Sequence, residues 1–525
     1  MKAKDKSHFQ TAMRKEFTDH GDRKHWKIIP IEDVPDDIDV LDSVWAFKRK
    51  REILTGQIYK YKARLNIHGG QQTYGENFFE TYSPVVSWTT CRILLLHTIV
   101  HRWHSRQVDF VLAYPQADID IPLYMKMPHG IKVQGKGKKT HVLKLEKNLY
   151  GAKQAGKVWH DHLTNKLKSI GFIPSKCDPC LYYRNHVMFF FYVDDGIFIS
   201  KHPQDVEAAI ADLRHTGLDL EDRGSIADYL GINFRHKKDG SIFMSQPHLI
   251  DQLIRDIGLN PKSHLPSTPA ISSYILQRDE TAAAYDSIWS YRSVIGKLNY
   301  LEKGTRPDIT YATHQCARFT EDPRKPHAKA VDHIIKYLKK TKHQGIFLTP
   351  EKTKSLEVYA DADFSGNWYK DTSIHDASTT KSRTGFLIMY VGCPILWCSK
   401  LQTQVTLSTT EAEYVSLSHS LREVIPLINL LKEMEKLEIC TISDTPNIFC
   451  KAFEDNSGAL ELAKSPKMRP RTKHINLAYH HFREHVRLRI IQLFPITTDL
   501  QLADIFTKPL PRDLFEKFRK QIMGW

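Results

Sequence analysis

The stretch "MFFFYVDDGIFIS", Met188 to Ser200, sets two adjacent carboxylates, Asp194 and Asp195, between two apolar runs that want burial. Short runs rich in aromatic and β-branched residues read as buried strands, and the Asp-Asp-Gly between them as the turn of a β-hairpin. Like charges this close repel, so either solvent at the turn or a metal cation has to offset them. A surface turn accounts for one such pair; whether the pair does chemistry depends on what the rest of the chain brings beside it.

At 525 residues the chain is too long for one ordinary domain, and a prior of roughly 100–200 residues per domain suggests about three. With 41% hydrophobic residues in periodic segments it has the means to fold. Its 75 Lys and Arg against 60 Asp and Glu leave a formal charge of +15, which favours a polyanionic partner but is shared by many ribosomal and membrane-associated proteins. Eight scattered cysteines argue against a disulfide framework and for a reducing compartment. Cys177 and Cys180 form a lone C-x-x-C with no second pair at zinc-site spacing. The N-terminal "MKAKDKSHFQTAMRKEF" has no apolar core of a signal peptide, and no run is long enough to span a bilayer, so no membrane partner is expected.

Pattern changes divide the chain. Residues 1–45, including the breaker-rich "IPIEDVPDDID", read as a leader; from "VWAFKRKREILTGQIYKYKARLNIHGG" two alternating strands follow, with Thr55-Gly56 as their turn and Lys and Arg recurring on one face. "CRILLLHTIVHRW" reads as a helix, "RQVDFVLAY" as a strand holding one acid, Asp109, and "WHDHLTNKLKSIGF" as a helix capped by Gly171. The Pro-, Ser- and Thr-rich stretch at 261–290 reads as a linker or an extended crossing segment, before helices at "YRSVIGKLNYLEKG" and "HAKAVDHIIKYLKKTKH", and a new domain is expected after Thr349-Pro350 at the strand "SLEVYADADF".

An Asp among Val, Phe and Leu in a strand must find a partner or emerge at a site. Paired with the hairpin, Asp109 would make three carboxylates, a set able to hold two Mg²⁺ ions for an in-line displacement at phosphorus. Tyr192-Val193-Asp194-Asp195 resembles the Y-x-D-D box of reverse transcriptases, and Asp109 the upstream Asp of their palm. "YKARLNIHGG", "ETYSPVVSWTT", "LYMKMPHG", "KNLYGAKQAGKVWH" and "IGKLNYL" with "TRPDITYA" narrow the resemblance to Ty1/copia-type retrotransposon polymerases. The resemblance implies Asp109, Asp194 and Asp195 as catalytic metal ligands, Lys62 and Arg64 as the grip on an incoming triphosphate, Tyr114 as the aromatic gate that selects dNTPs, and Gln154 as a nucleotide contact. Ala152 and Gly156 stand where such elements often have Leu and Pro.

A second acid set lies downstream: Asp361 after "LEVYAD", Glu413 in the helical "LSTTEAEYVSLSHSLREVI", Asp455 closing "NIFCKAFED", and Asp504 on a late helix in "TDLQLADIFTKPL". The order Asp, Glu, Asp, Asp resembles the ribonuclease H domain of the same elements, as do "EDNSGALELAKSP", "RTKHINLAYHHFREHV" and "QLADIFTKPLP". Two Mg²⁺ held there, with Mn²⁺ as the substitute, would activate water for RNA cleavage. Glu413 fits that pattern better than Glu411, and Asp361 better than Asp363; His474 either assists product release or caps a loop.

The expected fold class is therefore α+β: a right-hand polymerase with fingers and palm over 46–255, thumb and connection over 256–350, and an RNase H-like domain over 351–525. The resemblance implies an RNA-directed DNA polymerase with RNase H activity that works on an RNA template, a DNA primer, an RNA:DNA hybrid and dNTPs. It implies capsid and integrase of the same element as associates, copying in cytoplasmic particles before DNA reaches the nucleus, and either the C-terminal portion of a polyprotein or a truncated copy. The competing readings are a decayed or co-opted copy that binds nucleic acid without turnover, and a DDE transposase or integrase, whose acid spacing and His/Cys zinc module are not visible.

Overall fold

The structure, a computed structural model, describes residues 5–51, 57–133, 140–271, 275–278, 281–286, 288–370, 376–437, 448–465 and 480–525. The expected Thr55-Gly56 turn and His474 lie outside these residues. The chain folds as two compact units. One comprises residues 1–86, 104–175 and 179–225; the other comprises 87–103, 176–178 and 226–525.

The first unit is built around a six-stranded antiparallel sheet in the order Leu220–Gly224, His104–Phe110, Asp195–Ser200, Val187–Tyr192, Leu181–Arg184, Ile173–Pro174. Its two central hairpin strands carry apolar residues without alternation because both faces are covered: Val187 through Phe191 are all buried, as are Ile197, Phe198 and Ile199. The helix Pro203–His215 packs on three of these strands. The helix Ala155–Ser169 presents Trp159, whose ring meets Phe110 edge-on at 5.2 Å. The Lys- and Arg-rich segments form a separate two-stranded hairpin, Ser43–Arg51 with Ile58–Ile67, in which Lys48 faces Lys62 and Ala46 faces Arg64. The segment read as a leader carries the helix Lys6–Asp22, which packs on Ile58–Ile67, and contributes Trp26 and Leu41 to a core with Leu65, Ile67 and Met125.

The second unit holds a four-stranded antiparallel sheet, a group of helices and a five-stranded mixed sheet. Ile346–Leu348 pairs with Ile242–Ser245 in the first of these sheets. The helices Tyr291–Gly304, Thr310–Ala317 and Lys325–Lys340 surround a buried ion pair in which Arg306 binds Asp308 through two hydrogen bonds of 2.8 and 2.9 Å, and Tyr337 donates to Asp308 at 2.6 Å. The basic helix Lys325–Lys340 turns part of its polar face to the crossing segment: Lys339 donates to the Pro261 carbonyl, Lys340 to Ser267, and His333 meets the Thr268 carbonyl. The five-stranded sheet runs Cys393–Leu401, Arg383–Tyr390, Leu356–Asp363, Cys450–Glu454, Ile491–Pro495, with three antiparallel strands followed by two parallel ones. The long helix Thr409–Lys436 lies across its centre. The helix Trp88–His101 belongs to this unit too: its buried Arg92 donates to the carbonyls of Ile395 and Gly304 and stacks on Trp397 at 4.3 Å. The seven described cysteines are free thiols, and among the described residues no helix is long and apolar enough to cross a membrane.

Candidate active sites

The hairpin turn is not the Asp-Asp-Gly read from the sequence. Tyr192 pairs with Asp195, so the two turn residues are Val193 and Asp194, and Gly196 lies within a strand opposite Val108 and Phe191. Glycine is needed at 196 for space: a Cβ there would stand 2.7 Å from the buried Phe189 ring and 3.0 Å from Val108. Val193 takes φ +56°, the left-handed region that a β-branched residue adopts only under strain. The turn is held from below by the Trp159 indole, which donates to the Val193 carbonyl at 2.7 Å, and by the Phe110 amide, which donates to the Asp194 carbonyl at 2.8 Å.

Strand register then assembles the acids. Asp109 lies directly opposite Asp195 on one side and Glu221 on the other, so their side chains share one face of the sheet, a few ångströms apart at Cβ. Asp194 is half-buried, and its carboxyl is pushed above the usual range first by burial and then by the charge of Asp109, against the pull of Arg64 and Lys62. These acids open on a cleft of about 650 Å³ whose other walls include Lys48, Lys50, Lys62, Arg64, Tyr150 and Arg223. Burial and the neighbouring Arg64 hold the Lys62 ammonium below its ordinary value. Clustered oxygen donors facing cations suit a divalent ion on one side and a phosphate chain on the other.

The remaining residues singled out in this unit sit differently. Tyr114 packs against Tyr150 with ring centroids 4.9 Å apart, and its hydroxyl is raised by burial first and by Asp194 next. Tyr150, which the sequence did not single out, lines the cleft with the Arg64 guanidinium 3.9 Å over its ring. Gln154 stands apart from the cleft: it is 1% exposed, accepts from Gln72 at 3.0 Å and donates to the Asn77 carbonyl at 3.2 Å. Its amide is committed to pinning the loop that follows Ile67.

In the second unit the acids come from four elements. Asp361 lies inside the strand Leu356–Asp363, which runs on through Asp363 instead of ending at 361; Glu413 is on the long helix, Asp455 directly follows Cys450–Glu454, and Asp504 sits in the 3-10 turn Leu502–Phe506. Ser416 ties the helix to the strand by donating to the Asp361 carbonyl at 2.7 Å, and Gln501 ties the 3-10 turn to it through the Ala360 carbonyl at 2.8 Å. Carboxylate oxygens of Asp361, Glu413 and Asp455 all lie within 4.8 Å of one another. Glu411 points elsewhere, accepting from the Leu407 amide at 2.9 Å at the helix N-terminus that Ser408 caps.

The electrostatics here are strained. Burial and the neighbouring acids raise Glu413 well above its ordinary range; Asp504 is pushed to about 7 by burial and Asp361, and Asp363 to about 6 by burial and Asp361. Glu413 Oε2 and Glu454 Oε2 are buried with no hydrogen-bond partner among the described residues. Lys508 supplies a cation 2.9 Å from Asp504, its own charge favoured by Asp361 and Asp504 despite its burial, and Arg383 acts on Asp363. Thr507 donates to Asp361. Lys508 and Glu454 were not singled out from sequence, although Lys508 lies one helical turn after Asp504 and Glu454 adjoins Asp455. Crowded carboxylates with unmet oxygens and one lysine are a donor set that suits a hard divalent cation.

Residues 24–271 match the family described as reverse transcriptase (RNA-dependent DNA polymerase). The retrovirus-related Pol polyprotein from transposon RE1 of Arabidopsis thaliana is 32% identical over 98% of this chain, and that from transposon TNT 1-94 of Nicotiana tabacum is 31% identical over 99%. The chain spans 34% and 38% of those two polyproteins. The putative transposon Ty5-1 protein YCL074W of Saccharomyces cerevisiae is 28% identical over 60% of the chain and all of its own length. Residues 24–271 therefore match a reverse transcriptase domain, and over nearly its whole length the chain is similar to the Pol polyproteins of copia-type transposons.

Proposed function

We propose that this chain is an RNA-directed DNA polymerase with a separate RNase H activity, acting on an RNA template, a DNA primer, dNTPs and the RNA:DNA hybrid that results. The observation that carries the polymerase reading is the row of Asp109 and Asp195 beside Asp194 in a cleft walled by Lys48, Lys50, Lys62 and Arg64. Asp109, Asp194 and Asp195 would hold Mg²⁺ in the first unit, and Asp361, Glu413, Asp455 and Asp504 in the second. When bound, the ions supply charge neutralisation at phosphorus and an activated oxygen nucleophile. Lys62 and Arg64 bind the triphosphate, Arg64 held in plane by Tyr150, and the Tyr114–Tyr150 pair limits room beside the sugar so that a ribose 2′-OH is excluded. Lys508 keeps the second acid cluster from complete like-charge repulsion and orients Asp504. By the same reading copying takes place in cytoplasmic particles with other products of the element.

The test is extension of a DNA primer on an RNA template with Mg²⁺, comparing wild type with Asp194→Asn. Extension by wild type and its loss in the variant support the reading. If wild type fails while an authentic reverse transcriptase extends the same substrate, and salt-sensitive hybrid binding persists, the chain is a nucleic-acid-binding protein without turnover.

A further inference from the structure

Arg223 lies two residues after Glu221 on the edge strand, on the face that carries Asp109. The edge strand Leu220–Gly224 pairs with His104–Phe110, but the register slips: Asp222 faces Val108 and Gly224 faces Gln107, leaving Arg223 as the extra residue of a β-bulge. The bulge is fixed on both sides. Asp222 forms an ion pair with Arg106 of the neighbouring strand and accepts from the Gly224 amide at 2.8 Å, while Gly224 takes φ +79°. Alternation along the strand keeps Arg223 on the face of Glu221 and Asp109, and beside the bulge its guanidinium lies in the cleft, 3.0 Å from Asp109 and 2.9 Å from Glu221.

Asp109 is the central acid of the row, flanked by Asp195 and Glu221, and like charges directly opposite one another need a cation between them. In this structure the cation on Asp109 is Arg223. The pair is half-exposed, with side-chain exposures of 33% and 52%, so it is screened and exchangeable, not locked. Glu221 holds the same Nη2 atom, so the guanidinium keeps an anchor in the cleft when Asp109 is taken by another cation.

We propose that Arg223 is the resident counter-ion of Asp109, which a divalent cation must displace, with Glu221 as the partner that retains it after displacement. This rests on the polymerase reading of the cleft. Arg223 is thus a positioning residue: it sets how tightly the cleft takes its metal and keeps the acid row compact between metal-binding events.

The experiment is titration of the full chain with Mn²⁺, read by electron paramagnetic resonance of the free ion without nucleic acid. It is done in an Asp361→Asn, Glu413→Gln background that disables the other cluster. Arg223→Gln is expected to tighten the Asp194-dependent Mn²⁺ binding about fivefold, the size of an exposed ion pair, and to have no such effect when Asp109→Asn removes its partner. Unchanged or weaker binding in an Arg223→Gln protein that melts like its parent overturns the inference alone. Absence of any Mn²⁺ binding that depends on Asp194 overturns both the inference and the polymerase reading.

Discussion

The acid cluster of the second unit predicts an inverted pH dependence of stability. Asp504 ionises at about 7 in the folded chain against an ordinary 3.8, because burial and Asp361 disfavour its charge. A carboxyl raised on folding binds more protons folded than unfolded, so its contribution is fully present below 3.8 and is lost as pH rises through about 7. A rise of that size corresponds to about 4 kcal/mol, most of it incurred between about pH 5 and pH 8. Asp504→Asn removes the ionisation with little change of shape. In a large domain 1 kcal/mol moves Tm by about 2 °C. The assay is thermal unfolding of wild type and Asp504→Asn in excess EDTA. The Tm of the variant relative to wild type is predicted to climb by about 5 °C between about pH 5 and pH 8. Excess Mg²⁺ at the upper pH should close the gap, since wild type alone keeps the full ligand set. A difference that stays flat with pH, or a variant less stable than wild type at the upper pH in EDTA, refutes the argument.

Three further outcomes follow from particular contacts. Val193→Gly relieves a left-handed β-branched residue, so chemical denaturation should show no loss of stability, and a gain of up to about 1 kcal/mol, while primer extension slows because the turn is freer. Trp159→Phe keeps the ring against Phe110 but leaves the Val193 carbonyl without its indole donor; a cost of about 1–2 kcal/mol and a larger fall in kcat than in KM are expected in urea melts and single-nucleotide kinetics. Asp308→Ala strands the fully buried Arg306 and should cost about 3–5 kcal/mol, read as a lost or strongly lowered unfolding transition with nothing specific to either acid site.

What the sequence discloses and what it hides divide on physical lines. Period-two and continuous apolar patterns expose the hairpin around Asp194 because a two-sided buried strand has few other compositions, and the helix Tyr291–Gly304 ends where its periodicity ends. The turn itself was placed one residue late: Gly196 looks like a turn glycine but is small to clear Phe189, and Val193 carries the positive φ against its own preference. Arg223 was invisible because its partner Asp109 is set by pairing between strands more than a hundred residues apart, which leaves no local pattern. Tyr150 and Lys508 were missed for a related reason, since neither aromatic stacking on Arg64 nor a lysine neutralising acids from other elements leaves a local pattern. Gln154 and the helix Trp88–His101 show the converse: a polar residue in a quoted motif turns out to be committed to Gln72 and Asn77, and an apolar helix packs in the second unit, on the strand Cys393–Leu401, far along the chain.

If the two acid clusters of this chain do two separable jobs, each can be disabled without the other. The most direct test follows DNA synthesis and RNA cleavage together on one labelled RNA template with a DNA primer, for wild type, Asp194→Asn and Glu413→Gln. The prediction is that Asp194→Asn abolishes synthesis but still cleaves a preformed hybrid, and that Glu413→Gln synthesises full-length DNA on uncut RNA. Loss of both activities in either single variant, or retention of both in either, contradicts it.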